Sequence, residues 1–255
     1  MTSEHRPRAS SGLIGADLGG EGKAIGHVGG AKDWDRHVRQ ADELSRTPGF
    51  RELRDRIVAK ATPAAGERAL DIGCGTGLLA LALAPTCGGV WAIDNAPAMV
   101  EHLRWVVAGQ RVSNVYPLVA SAEALPQPDS DIDLVVSNYC FHHLDEEGKR
   151  KCLAEIHRVL RPGGRLVFAD MMFGWSPAVG RNREVLGAKV RAIARRGPSG
   201  WLRLASNAGR VLTGRGEHPA AADWWRPALL QAGFDEIEIE LLSHEGGIAA
   251  AVKPG

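Results

Sequence analysis

Three patterns in the sequence predict an α/β fold built on a seven-stranded, mostly parallel sheet. Between residues 68 and 171, short apolar runs alternate with segments of helical periodicity. A glycine-rich turn follows the first of these runs, and two closely spaced strand-like segments lie at 235–242 and 247–254. We therefore expect five parallel strands joined by helices on both faces of the sheet, followed by an antiparallel hairpin at one edge.

The first 32 residues are predicted to form a flexible tail, and residues 33–255 one domain. The tail contains eight glycines and no apolar periodicity, and glycine loses the most backbone entropy on folding. The domain is expected to begin with a helix over 48–61, since Thr47-Pro48 is a typical helix start. Residues at helical spacing form its predicted inner face: Phe50, Leu53, Ile57 and Val58.

The central part of the chain alternates between strands and helices. Each predicted strand is a short run rich in Val, Ile and Leu: 68–74, 89–95, 115–121, 133–139 and 165–171. The predicted helices between them cover 78–84, which Pro85 ends, 97–108 and 146–160. Strands that are apolar on both faces and joined by helices are typical of a parallel sheet covered on both sides.

The last two strands differ from the first five. Residues 235–242 alternate strictly between apolar residues and glutamates, which is typical of a half-exposed strand at a sheet edge. Residues 247–254 follow after a turn too short for a crossover helix, so they should pair antiparallel. Between strands five and six, residues 173–218 interrupt the alternation and are predicted to form a helical lid.

Composition places the chain among globular proteins and excludes several other classes. Its 255 residues are 44% apolar and 24% charged, as in a typical folded domain. No apolar run is long enough to cross a bilayer, and the N-terminal residues lack the apolar stretch of a secretion signal, so we expect a cytoplasmic protein. The four cysteines form no CxxC pair, so neither a disulfide framework nor a metal site is predicted. The oligomeric state stays open.

Charge is distributed unevenly along the chain. The 31 Lys and Arg residues and 30 Asp and Glu residues give a net charge of +1, which excludes a uniformly basic nucleic-acid binder. In the lid, however, nine basic residues outnumber two acidic ones, so the lid carries +7 and the rest of the chain −6. The lid also has a predicted apolar stripe: Trp201, Leu204, Ala208, Val211 and Leu212.

The turn after the first strand has the composition of a ligand-binding loop. Gly73, Gly75 and Gly77 remove side chains where a ligand would lie against the backbone, and the next helix offers free N–H groups. Asp94 ends the second strand, where a carboxylate can accept from both hydroxyls of a ribose. A nicotinamide or flavin dinucleotide is less favoured, because its fingerprint G-x-G-x-x-G requires glycine in place of Leu78.

Four segments resemble the motifs of the class I S-adenosylmethionine (SAM)-dependent methyltransferases. ALDIGCGTG resembles their first motif, WAIDNAPAMV the second, SAEALPQPDSDIDLVVSNYCFHHL the third and fourth, and RVLRPGGRLVFAD the fifth. The resemblance covers about residues 66–171 and is greatest to the broad group that includes ubiquinone and menaquinone C-methyltransferases. It implies a Rossmann-like fold and transfer of a methyl group from SAM, with release of S-adenosylhomocysteine (SAH).

The resemblance also implies a set of SAM-binding residues: Asp71, Gly73, Cys74, Gly75, Asp94, Asn95, Met99, Ser121, Ala122, Glu123 and Asn138. Asp71 would help to hold the methionine ammonium, Asp94 would accept from the ribose hydroxyls, and Asn138 would face the methionine end. Alternative roles are a strand-end cap for Asp94 and a solvated loop acid for Glu123. Ser121 stands where many relatives carry an aspartate, and serine would accept from the adenine amino group only weakly.

Two histidines are the candidates for a general base, which a phenol, amine or enol acceptor would require. His142 and His143 follow the fourth strand, whose carboxyl end should open onto the ligand crevice, and histidine titrates near neutral pH. The alternative is that either histidine packs against the methionine part of SAM or caps the next helix. The family has no universal base, so the resemblance does not decide between these roles.

The methyl acceptor is expected to be a small-molecule or lipid-like compound. C- or O-methylation is favoured, with N-methylation next. The basic lid suits an anionic or amphiphilic acceptor, or contact with a membrane surface; a solvated lid packed on the core is an equal alternative. No RNA-binding module is attached, so no nucleic-acid partner is expected. The alternative function is a non-catalytic SAM-binding or membrane-surface partner protein.

Overall fold

The computed structural model describes residues 37–174, 217–243 and 245–255, together with scattered positions between 180 and 191. The tail predicted over 1–32 lies outside the described residues, as does most of the lid predicted over 173–218, including its apolar stripe. Both remain predictions. The lid positions that are described between 180 and 191 are helical.

The seven strands of the described chain form one sheet. In chain order they are β1 (Arg68–Ile72), β2 (Gly89–Asp94), β3 (Val115–Val119), β4 (Ile132–Asn138), β5 (Leu160–Met171), β6 (Asp235–Leu241) and β7 (Gly246–Val252). They lie side by side in the order β3-β2-β1-β4-β5-β7-β6. The first five strands are parallel, whereas β7 is antiparallel to both β5 and β6. The predicted mostly parallel sheet with an antiparallel last strand is confirmed.

Four helices of the described chain begin within two residues of their predicted starts, and two more, at 38–45 and 222–231, were not predicted. They are α1 (Val38–Ser45), α2 (Pro48–Ala61), α3 (Ala80–Leu83), α4 (Pro97–Gly109), α5 (Glu146–Val159) and α6 (Ala222–Gln231). Proline occupies the first turn of α2 and of α4, where its missing N–H costs no hydrogen bond. The side chain of Thr47 does not cap α2; its hydroxyl instead donates to the carbonyl of Leu44 at 2.7 Å.

Two boundaries differ from the sequence prediction for identifiable reasons. Helix α3 has four residues instead of the predicted 78–84, because the loop after β1 continues as turns up to Leu79. Strand β5 begins at Leu160 instead of Arg165, since Leu160 already pairs with Ile132 of β4. The Pro162-Gly163-Gly164 sequence therefore lies within the extended segment, where a register shift accommodates it.

Buried side chains cover the sheet on both faces, as predicted. On one face, Leu153 and Ile156 of α5 and Trp225 of α6 pack against the strands. On the other face, the strands are covered by Leu53 and Ile57 of α2, Leu83 of α3 and Leu103 of α4. Apolar layers thus cover both faces of the sheet. Because its central strands are parallel, their carboxyl ends lie together at one open edge. The strand order reverses between β1 and β4, which is where ligands bind in sheets of this kind.

Strand β6 forms one edge of the sheet, and its alternation matches the predicted half-exposed strand. Ile237 and Ile239 are partly buried against the core. Glu238 and Glu240 form ion pairs of 2.7 Å with Lys60 and Arg56 of α2, so the glutamate face is charged and paired with a neighbouring helix.

Candidate functional site

A cavity of about 320 Å³ opens at the carboxyl ends of β1, β2 and β4. All the residues that the sequence predicted for cofactor binding line it, and so do both candidate histidines. They meet there because parallel strands bring their carboxyl ends to one edge of the sheet. The other lining residues were not selected from the sequence: Ala41, Leu44, Ser45, Phe50, Thr76, Leu78, Leu79, Tyr139, Cys140, Leu144 and Glu217.

The three glycines of the loop after β1 serve different purposes. All have positive φ, which favours glycine: 68° at Gly73, 50° at Gly75 and 95° at Gly77. A Cβ on Gly73 would lie 2.6 Å from Cβ of Cys140, and one on Gly77 would overlap the side chain of Leu103. A Cβ on Gly75 would meet nothing within 4 Å. Packing by itself thus requires glycine at positions 73 and 77, whereas Gly75 has open space beside it, and both Gly73 and Gly75 line the cavity.

Asp71 is the most deeply buried acid of the cavity wall, with 2% of its surface exposed. Its Oδ2 accepts a hydrogen bond of 3.0 Å from the backbone N–H of Ala80 at the start of α3. Burial raises the pKa of Asp71 to about 7, and the nearby Asp94 carboxylate adds to the increase, against the lowering effect of the Ala80 bond. A cationic ligand group placed beside Asp71 would favour its ionised form.

We predict that SAH binding weakens with falling pH below about 7 and that Asp71→Asn removes this dependence. In the predicted complex the methionine ammonium would stabilise ionised Asp71, so below its pKa of about 7 each bound SAH would displace one proton. The affinity should fall by roughly tenfold per pH unit in wild type and stay flat in the variant. Calorimetry between roughly pH 5.5 and 8 measures it, within the range set by that pKa.

The matched control for this prediction is Asp55→Asn, on an exposed part of α2. That variant should keep the wild-type pH dependence. An equal slope in Asp71→Asn and wild type would contradict the assignment. The same raised pKa affects folding: the stability contributed by Asp71 is present below pH 3.8 and is lost as pH rises through about 7.

Asp94 holds the loop after β1 next to the start of α4. Its Oδ2 accepts from the N–H of Gly75 at 2.9 Å, and its Oδ1 accepts from the N–H of Ala96 at 2.9 Å. Both the predicted ribose role and the alternative cap role thus have a structural basis, because each carboxylate oxygen has two lone pairs. Asn95 and Met99 line the cavity next to it.

A buried polar atom without a partner among the described residues lies at the end of the cavity where the methionine part of SAM is expected. Oδ1 of Asn138, the last residue of β4, accepts no hydrogen bond from any described residue. Buried acceptors are normally satisfied, so this oxygen fits a donor supplied by a ligand. The Asp71 carboxylate lies on the neighbouring strand, which pairs with β4. Together, a carboxylate and a free amide oxygen suit an ammonium group.

The loop after β3 forms the opposite end of the cavity. Ser121 Oγ accepts from the N–H of Glu123 at 3.1 Å, so its hydroxyl hydrogen stays available to donate. The loop is anchored by Arg158 of α5, whose guanidinium donates to the carbonyls of Leu125 and Gln127. Glu123 is exposed and lines the cavity, so neither its predicted wall role nor the solvated alternative is decided by its position.

His142 is fixed by an acid that the sequence analysis did not select. Its Nδ1 lies 2.7 Å from Oδ1 of Asp170, and its backbone N–H donates to Oδ2 of the same residue at 3.1 Å. Because a carboxylate only accepts, Nδ1 carries the hydrogen and Nε2 is left as a proton acceptor. Asp170 is 1% exposed, at the carboxyl end of β5. Its position near the carboxyl end of an apolar strand was the signal available in the sequence, whereas its pairing with His142 was not predictable.

His143 adjoins His142, with a distance of 3.9 Å between the ring centroids. Its backbone N–H donates to the carbonyl of Cys140. Tyr139 packs between Phe50 and the ring of His142, at centroid distances of 5.7 and 5.9 Å. Burial raises the pKa of Tyr139, so its hydroxyl is a hydrogen-bond donor at neutral pH.

The two cavity cysteines are not nucleophiles in this structure. Burial raises the pKa of Cys74 and of Cys140 well above the usual range, and nearby carboxylates add to the increase. Thiols in such surroundings stay protonated, and the thiolate is the reactive form. Cys140 is therefore a packing residue against Gly73.

The fold defines a class of protein: a Rossmann-like α/β fold in which the last strand of the chain is antiparallel, with a cavity at the carboxyl ends of β1, β2 and β4. Residues 69–164 match the family model described as a methyltransferase domain. Among the described residues, no helix is long and apolar enough to span a membrane.

Two bacterial relatives extend this match. The chain is 33% identical over 145 residues to an uncharacterized methyltransferase of Geobacillus kaustophilus (strain HTA426), covering 56% of this chain and 64% of that protein. It is 30% identical over 184 residues to an uncharacterized methyltransferase of Geobacillus sp. (strain WCH70), covering 71% of this chain and 77% of that one. The chain thus spans just under two thirds of the first relative.

Solved structures share the fold at low sequence identity. A SAM-dependent methyltransferase from Aquifex aeolicus superimposes with a TM-score of 0.60 at 20% identity, covering 84% of this chain and 97% of that one. Phosphoethanolamine N-methyltransferase 2 of Haemonchus contortus, solved with phosphomonomethylethanolamine and SAH, gives a TM-score of 0.65 at 18% identity. Its alignment covers 87% of this chain and 58% of that one. The chain belongs to the class I SAM-dependent methyltransferases.

Proposed function

We propose that this protein transfers the methyl group of SAM to a small-molecule or lipid-like acceptor and releases SAH. The observation that carries the proposal is the single cavity in which the family's cofactor motifs meet the His142–Asp170 pair. The cofactor needs both an anionic, hydrogen-bonding pocket and a neighbouring space for the acceptor. The cavity provides them at adjacent strand ends.

The residues of the cavity fit SAM by their chemistry. Asp71 and the unpartnered Oδ1 of Asn138 would hold the ammonium of the methionine part. Asp94 would accept from the ribose hydroxyls, and the open backbone at Gly75 leaves room for the ligand beside it. Asn95, Met99, Ser121 and Ala122 would surround the adenine. SAM supplies a methyl group activated by the positive charge on its sulfur.

The protein's own contribution is then alignment and proton removal. The acceptor atom bonds to the methyl carbon as the methyl–sulfur bond breaks, and the electron pair of that bond stays on sulfur. The proton that the acceptor loses passes to Nε2 of His142, whose ring is held by Asp170. Holding both reactants in line contributes about 7–11 kcal/mol in favourable systems.

The acceptor end of the cavity has mixed character. Its wall combines the apolar side chains of Leu44, Phe50 and Leu144 with the hydroxyl of Tyr139. The cavity lining contains four carboxylates, two histidines and, among the described residues, no lysine or arginine. This lining favours a partly apolar acceptor whose reacting group is neutral or cationic, such as a phenol, enol or amine. N-methylation therefore joins C- and O-methylation as a candidate reaction.

The predicted anionic or amphiphilic character of the acceptor rests on the basic lid over 173–218. Most of that segment lies outside the described residues, so this part of the proposal depends on its charge of +7 alone. Contact with an anionic membrane surface has the same basis.

Incubation of the protein with methyl-labelled SAM and fractionated cell extract tests the proposed function. Label should enter a small-molecule or lipid fraction with wild type and not with Asp94→Ala. Label in protein or nucleic acid would contradict the acceptor class. SAH binding without transfer to any fraction would instead support the non-catalytic SAM-binding alternative.

A further inference from the structure

Lys149 is a buried cation that neither the sequence motifs nor the proposed reaction uses. It lies in the first turn of α5 and is 3% exposed, whereas lysine is rarely buried without a specific partner. Its Nζ donates to two backbone carbonyls. One belongs to Leu144, directly before the helix, and the other to His218 at a distance of 2.6 Å.

The two carbonyls belong to segments far apart in the chain. Leu144 follows the 3-10 turn Phe141–His143, which carries the candidate base. His218 is the last residue of the predicted lid segment and is next to Glu217 on the cavity wall. A second bond joins the same segments, because the N–H of His218 donates to the carbonyl of His142 at 2.7 Å. The ammonium group of Lys149 therefore lies where the end of the lid segment joins the cavity wall.

The charges around Lys149 come from two parts of the fold. Asp170 approaches from β5, while Asp145 and Glu146 lie at the start of its own helix. The histidines that face it, His142 and His218, contribute backbone groups to the same bonds. Burial lowers the pKa of Lys149 to about 8, and the three carboxylates oppose this change. At neutral pH the ammonium form predominates, and its bonds to the carbonyls are charge-assisted.

We propose that Lys149 is a positioning residue that holds the turn carrying His142 against the segment at His218 and thereby fixes the acceptor side of the cavity. The backbone contacts carry the structural part of this proposal. Its consequence for methyl transfer rests on the proposed function, since it requires His142 to act on the acceptor. Lys149 itself contacts none of the predicted SAM-binding residues through the bonds described.

Three variants test the proposal. Lys149→Met removes the ammonium at similar length, and Lys149→Arg retains a charge that does not titrate below pH 12. Lys151→Met is the control: this lysine lies on the same helix, is exposed and pairs with Glu147 at 2.7 Å. Hydrogen exchange of the His218 amide, corrected for its intrinsic rate, directly reports the contact between the turn carrying His142 and the segment at His218. The measurement needs no methyl acceptor.

We expect the His218 amide to exchange at least tenfold faster in Lys149→Met than in wild type. Lys151→Met should not differ from wild type, and Lys149→Arg should retain most of the protection. Between pH 7 and 9, protection should decrease in wild type as Lys149 loses its proton, but not in Lys149→Arg. A lysine that only stabilised the fold would change the unfolding temperature without this local, pH-dependent loss.

Equal protection of His218 in Lys149→Met and wild type would overturn the proposal. If Lys149→Met fails to fold, the pH comparison between wild type and Lys149→Arg decides, and a decrease of protection in both would overturn it. SAH affinity should change less than twofold in Lys149→Met, while labelling of the acceptor fraction decreases. Absence of SAH binding and labelling in wild type would contradict the proposed function and leave the exchange result standing.

Discussion

Asp94→Ala is expected to lower the affinity for SAH by about 100-fold or more. In the proposed complex the carboxylate accepts from two ribose hydroxyls, and hydrogen bonds to a charged group contribute about 1.5–3 kcal/mol each. Losing about 3 kcal/mol corresponds to roughly a 100-fold weaker complex. Calorimetry with SAH at pH 8, above the pKa of about 7 of the neighbouring Asp71, measures the change without interference from that titration.

The effect of losing the hydrogen bonds that Asp94 makes within the protein must be distinguished from the effect of losing its bonds to the ligand. Its oxygens also accept from Gly75 and Ala96, so alanine loosens the loop as well. Asp94→Asn keeps one acceptor oxygen and should lose less affinity than alanine. Asp55→Ala removes an exposed acid that pairs with Arg54 on α2 and does not line the cavity, so this variant should bind SAH as wild type does. A folded Asp94→Ala protein with SAH affinity within threefold of wild type would refute the ribose assignment.

Residues that follow a strand in the chain were predictable from the sequence. Asp71, Asp94 and Asn138 lie at or near the carboxyl ends of their strands, and a parallel sheet brings such positions together whatever its details. The same reasoning applies to the terminal hairpin, because a short turn permits only antiparallel pairing. The hydrophobic period and the order of strands along the chain are enough to predict these two features, since neither feature depends on side-chain geometry.

Residues that depend on contacts between distant segments were not predictable in this way. Asp170 is 28 residues from His142 along the chain, and only the pairing of β4 with β5 brings the two together. Lys149 looks like any lysine in the first turn of a polar helix, and its burial appears only once the segment at His218 is placed. Helix α1, with its cavity residues Ala41 and Leu44, has no buried residue that would signal its position.

The glycine loop shows how far the role of each residue in a motif can be predicted from residue types alone. The sequence assigned one cause to three glycines, namely close approach of a ligand. The structure gives Gly73 and Gly77 a different cause, because Cys140 and Leu103 fill the space that their Cβ atoms would need. All three glycines also have positive φ, which favours glycine whether or not a ligand lies nearby. The motif does not identify the residue that packs against each glycine, because that residue lies in another part of the fold.

His142→Gln is expected to lower the rate of methyl transfer by about 10²–10⁴-fold, the usual contribution of a general base. SAH affinity should change little, because His142 is not among the predicted SAM-binding residues. His143→Gln is the matched comparison: it alters the adjacent ring and should retain most of the activity. The measurement is the initial rate of label transfer into the acceptor fraction identified with wild type.

Asp170→Asn tests how His142 is held. An asparagine of the same shape can present its NH₂ group to Nδ1, which favours the ring form with hydrogen on Nε2 and thus removes the proton acceptor. The rate should fall almost as far as in His142→Gln, although the packing around position 170 is preserved. If His142→Gln instead transfers methyl groups at nearly the wild-type rate, the acceptor reacts without a base from this turn. The His142–Asp170 pair would then serve to shape the cavity, and its bond of 2.7 Å would be a structural one.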